Sequence, residues 1–309
     1  MQELSRQKRA PLSVAIVLLV GVMGIATSAV MIRLAIAAAG TSGVGFSLFI
    51  AAMRMVIAAL VLAPSWRNFS PRQVSRGAIW MAIAAGLCLA LHVAAWISSL
   101  SFTSITASTT LVTTNPIWVA LLGWLWYGDR PRRLTQWGIV IALAGSSAIV
   151  FGNTGSNAPL LAGSQPLLGN SLALFGAWLA SAYMLLGRAA QQQGLSLGHY
   201  SAIAYTTAAI LLLPLPGLLG VPYLGYPWAA YGAIAGMAVL GQLVGHTSIN
   251  WSLTRLSPTL VSLCLLFEPV GASLLGAIVF GELPTLNIWF GAAIVLAGVA
   301  LATVGERAA

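Results

Sequence analysis

The chain has 309 residues, of which 59% are hydrophobic and 6% charged, and its net charge is +9. Soluble domains carry about a quarter charged residues, so a water-facing surface of ordinary chemistry is excluded, as are disorder, a disulfide scaffold and a coiled coil. What remains is an all-α polytopic membrane protein, because the apolar runs last about 20 residues, whereas barrel strands need ~10 and alternate in polarity. The charge is no nucleic-acid signal. Of the 14 basic residues 13 are Arg, and most sit in short gaps between apolar runs, where they report topology. Cys88 and Cys264 lie inside apolar runs and read as small embedded residues.

In chain order the predicted helices span roughly 12–38, 45–63, 77–99, 104–127, 134–151, 168–188, 199–215, 229–251, 257–280 and 285–304. The first is too long for a signal-peptide core and reads as a retained span. Pro214 and Pro216 are expected to close the seventh early. Basic residues occupy every second gap. They are Arg6, Lys8 and Arg9; Arg67, Arg72 and Arg76; Arg130, Arg132 and Arg133; then Arg188, Arg255 and Arg307. The alternate gaps carry none, which predicts cytoplasmic termini.

A repeat runs through the chain at an offset of 269 − 116 = 153. It pairs Asn115-Pro116 with Glu268-Pro269, Gly128-Asp129 with Gly281-Glu282, Pro131 with Pro284, Gly138 with Gly291, and Gly145 with Gly298. Five helices per half is an odd number, so the halves enter the membrane from opposite sides. The expected architecture is ten transmembrane helices in two inverted five-helix repeats, residues 1–151 and 152–309, with a polar site near the midplane.

These blocks resemble the drug/metabolite transporter superfamily, EamA-type. The proline steps and the Gly-acid step match, with Asp129 departing from the usual Glu in the first half, and Arg54 resembles a recurrent Arg of the family. The resemblance implies a secondary transporter working by alternating access. The size and the Trp- and His-bearing helices look similar to the branch that exports aromatic and other amino acids. The implied partners are a small-molecule substrate and the lipid bilayer, without nucleic acid, and the implied location is a bacterial inner (plasma) membrane. A channel or broad-specificity drug exporter on the same fold is the alternative. No Gly-rich phosphate loop with Lys, no His-Glu-x-x-His and no Ser/His/Asp set occurs, so the sequence reads as no enzyme, with no cofactor or metal.

Polar groups inside spans are the candidate site residues. Glu268 is the one acid well inside a span. It reads as a contact for a substrate ammonium, a protonatable coupling group, or a structural acid beside Pro269. Asn115, its repeat mate, orients a ligand but does not titrate. His92 and Trp96, and likewise His246 and Asn250, are spaced i,i+4 and read as cavity lining or as interhelical glue. Ser108, in a stretch rich in hydroxyls (Ser104, Thr106, Thr109, Thr110, Thr113, Thr114), and Trp178, mid-span, complete the substrate-binding set. Pro116 and Pro269 free carbonyls at Val112 and Leu265 and are candidate hinges. Arg54 is expected to be structural. Arg33 snorkels. Trp66, Trp80, Trp228 and Trp289 read as interfacial anchors.

Overall fold

The computed structural model describes residues 12–99, 102, 103, 108, 111–152, 165–281 and 286–307. Every regular element among them is helical. They are α1 Leu12–Ala39, α2 Val44–Val61, α3 Arg76–Ser99, α4 Asn115–Tyr127, α5 Arg133–Gly152, α6 Pro166–Gln192, α7 Leu197–Leu218, α8 Trp228–Ser252, α9 Pro258–Phe280 and α10 Leu286–Arg307. Among the described residues seven of these, α1, α2, α3, α6, α7, α8 and α9, are long and apolar enough to cross a membrane. The chain is therefore a multi-pass membrane protein. Its outer surface carries bare Leu12, Trp80, Trp137, Ile210, Ile278 and Phe290, which suits lipid and not water.

Local chemistry sets several ends. Ser196 accepts a hydrogen bond from the His199 amide and opens α7, and Ser257 does the same for Leu260 ahead of Pro258 in α9. Gly128 (φ 75°) and Gly281 (φ 72°) close α4 and α9 in the left-handed conformation that other residues resist. Two expected boundaries are corrected. Pro214 and Pro216 do not stop the seventh helix, because after a turn at Leu213 the chain recoils as Pro214–Leu218. The sixth helix runs to Gln192, so Arg188 sits within its last turns and not in a gap.

Helices approach most closely where they lack side chains. In α5 and α10, a Cβ on Gly298 would lie 2.5 Å from the Ala142 nitrogen, and one on Gly145 would lie 2.8 Å from the Gly291 carbonyl. Gly138 meets Gly298 while Gly145 meets Gly291, so the two helices run antiparallel. α1 crosses α8 in the same sense, with Gly24 against Gly245 and Gly241 against Ser28. α3 crosses α6, with Thr103 against Gly169 and Trp96 against Gly176. Small residues at such crossings let backbones pack where lipid offers no hydrophobic drive.

Beside the turn in α7, two further interruptions and one distension mark the described helices. α9 consists of Pro258–Leu265 and Glu268–Phe280, with a turn at Leu266-Phe267. α4 starts after a turn at Thr113-Thr114, the same place in the repeat. In α8, residues Met237–His246 are π-helical. The aromatic cluster Phe46, Phe49, Tyr223, Tyr226 and Tyr231 packs near the start of α2 and reaches Trp96.

Candidate functional site

The breaks in α4 and α9 face one cavity of about 80 Å³. That holds several water molecules. Its walls come from α1 (Ser28), α2 (Arg54), α3 (His92, Trp96), α4 (Asn115), α6 (Tyr183), α8 (His246) and α9 (Ser262, Glu268). Five of the eight binding residues expected from sequence thus meet: His92, Trp96, Asn115, His246 and Glu268.

Their engagements differ. His92 Nδ1 lies 2.8 Å from the Gly176 carbonyl. A carbonyl only accepts, so Nδ1 donates and Nε2 is the acceptor in the neutral ring. The rings of His92 and Trp96 stack at 6.3 Å and 5°, as the i,i+4 spacing predicts. The Trp96 indole N–H is buried without a partner among the described residues. His246 meets Tyr183 edge to face at 6.2 Å. With its amide set by the surrounding acceptors, Asn115 donates to the Val112 carbonyl at 3.0 Å and the Ala177 carbonyl at 2.9 Å. The first is the carbonyl that Pro116 leaves free. The Glu268 carboxylate has no hydrogen bond or ion pair among the described residues, although it lines the same cavity as Arg54.

The remaining three expected binding residues stand elsewhere. Asn250 lies behind the wall and donates to the Tyr183 hydroxyl at 2.7 Å. Ser108 bonds Ser99 at 2.6 Å, and Ser99 bonds the Trp96 carbonyl, so this pair ties the chain after α3 to α3 itself. Trp178 is 38% exposed and stacks on Phe175 at the outer surface. A mid-span Trp escapes the interfacial rule equally well by facing lipid, and sequence position does not tell the two apart. Ser104, Thr106, Thr109 and Thr110 lie outside the described residues. At Pro116 and Pro269 the helices are interrupted by a turn and not merely bent.

Sequence reasoning missed Tyr183, Ser28 and Gln242, and it gave Arg54 a purely structural part. Arg54 is 2% exposed, and its Nε and Nη2 donate to Gln242 Oε1 at 2.9 and 2.6 Å. A signal existed, since Gln242, His246 and Asn250 form an i,i+4,i+8 stripe. A second pocket of about 490 Å³ opens at the arginine-bearing end between α4, α6 and α9, beside Tyr127, Arg130 and Arg188.

Comparison with known proteins agrees with this architecture. An uncharacterized transporter of Synechocystis sp. is 24% identical over 257 residues, covering 82% of this chain and 76% of its own. An uncharacterized transporter of Bacillus subtilis is 25% identical over 224 residues, covering 72% and 73%. A protein of solved crystal structure, 17% identical, superposes with a TM-score of 0.73 over 96% of this chain and 99% of its own, which shows a shared fold. The EamA-like transporter family matches residues 12–151 and 167–304, most of the sequence, and the chain belongs to that family.

Proposed function

We propose that this protein is a secondary exporter of amino acids, aromatic and hydrophobic ones included, or of related small metabolites, across the inner membrane. The observation that carries the reading is the cavity: five polar or aromatic residues expected from sequence converge on it from four different helices, where two interrupted helices meet. Buried polar groups around a hollow are costly unless a solute or water uses them. The supporting pieces for an inverted repeat, residues 1–151 and 152–309, are the contacts. α1 packs on α8 as its counterpart α6 packs on α3; α9 packs on α1 as α4 packs on α6; and the equivalent helices α5 and α10 cross antiparallel through equivalent glycines. Two such halves have inward- and outward-open arrangements of similar energy, so modest differential binding shifts one to the other. The breaks beside Pro116 and Pro269 serve as hinges. The 490 Å³ pocket at the arginine-bearing end is then the cytoplasmic vestibule, with both termini on that side.

Reconstituted proteoliposomes test the reading. Counterflow of radiolabelled amino acids is expected to saturate and to show competition within one chemical class. Absence of saturable flux for any amino acid or small metabolite removes it. Flux of structurally unrelated amphiphiles with mutual competition instead favours a broad-specificity exporter on the same fold.

A further inference from the structure

We propose that Arg54, presented by Gln242, is the carboxylate receptor of the cavity and that Glu268 is the opposite pole, so that the solute carries both charges and binds in one orientation. This rests on the cavity being the solute site. It also revises the purely structural part that sequence position suggests for Arg54.

The argument begins with hydrogen-bond accounting. A guanidinium has five N–H groups and accepts nothing. Two of Arg54's N–H groups go to one oxygen of Gln242, a residue with no exposed surface, and no further acceptor for Arg54 occurs among the described residues. An amide oxygen is neutral, so the buried cation lacks a counter-charge at contact distance. Such a charge is costly until an anion reaches it. Glu268 lines the same cavity but forms no ion pair with Arg54 among the described residues. Gln242 holds the guanidinium toward α8, and both charged groups line the hollow.

Two further donors wait at the wall. Among the described residues the Trp96 indole N–H and the Ser28 hydroxyl are buried without partners, and both residues line the cavity. Indole N–H only donates. A carboxylate offers about four lone-pair sites and suits a guanidinium bidentately. An ammonium has three donors and nothing to accept, which complements the unengaged carboxylate of Glu268. The grip on Gln242 also depends on the π-helical turn Met237–His246, which carries both Gln242 and the cavity residue His246. Inserted turns of this kind recur at functional sites.

Calorimetric binding to the purified full-length protein tests the proposal with three probe families: alanine, leucine and phenylalanine, each beside its decarboxylated amine and its N-acetyl derivative. For at least one family, the amino acid is expected to bind wild type ten-fold or more tightly than either analogue. Gln242→Glu supplies Arg54 with a permanent partner and is expected to weaken amino-acid binding at least ten-fold while leaving the amine unchanged or tighter. Gln242→Leu, which adds no charge, is expected to weaken only probes with a free carboxylate. Equal binding of an amino acid and its amine by wild type overturns the proposal, as does an equal loss of all probes in both variants. No binding of any probe overturns both this inference and the function it rests on. Tight, selective binding without flux leaves this inference standing and removes the transport reading.

Discussion

The breaks in α4 and α9 occupy the same place in the repeat and have the same backbone. Each has a turn, a proline after the first residue of the new helix, and a left-handed glycine at its end. Their side chains do opposite things. Asn115 spends its amide on Val112 and Ala177, closing the carbonyl that Pro116 frees and stitching α4 to α6. Glu268 has only acceptors when ionised, so it cannot perform that repair at Leu265, and its carboxylate is left to the cavity. One atom type at one position separates the two: the amide of Asn115 closes onto backbone carbonyls, and the carboxylate of Glu268 lines the cavity.

Substitutions that break this contrast come first. Glu268→Gln is expected to lower amino-acid flux at least ten-fold while the melting temperature stays within a few degrees. Unchanged flux takes Glu268 out of the mechanism. Exchanging the pair, Asn115→Glu with Glu268→Asn, is not expected to restore flux, because a carboxylate at position 115 faces two carbonyl oxygens and repels both. Recovery to wild-type rates in counterflow shows that the halves are interchangeable and the contrast false. Asn115→Leu leaves the Val112 carbonyl without a donor, which costs about 1–3 kcal/mol, read as a fall in thermal stability in detergent with a smaller effect on flux than Glu268→Gln. Ser181 donates to the Asn115 carbonyl at 3.2 Å and to Ala177 at 2.9 Å. Ser181→Ala is expected to cost about 0.5–1.5 kcal/mol. Trp178→Ala, on the exposed face, should leave counterflow within two-fold of wild type, whereas Trp96→Ala should not. Equal losses return Trp178 to the site.

The positions of Pro116 and Pro269 were legible because proline, glycine and acid at a constant offset stand out in a sequence where Leu and Ala matches mean little, but sequence read them as kinks in continuous helices and the structure interrupts the helices there. Most helix ends were legible within a few residues, with Arg188, the helical turn Pro214–Leu218 and the start of α4 at Asn115 as departures. The site was legible in part. His92, Trp96, His246 and Glu268 are polar or large groups in apolar surroundings, and such groups turn inward. Trp178 violates the inference because indole is comfortable against lipid. Asn250 and Ser108 violate it differently, since they turn inward and stop at a neighbouring helix.

Sequence by itself determined that the chain crosses a membrane repeatedly and that Pro, Gly and acid recur at a constant offset, with a proline at the same place in each copy. These follow from composition, hydropathy length and local backbone chemistry. Only the tertiary structure decided which buried groups meet. Arg54 finds Gln242 from 188 residues away. A helix that is apolar on every side carries no stripe to say which face looks at which neighbour, so packing alone chose the partners.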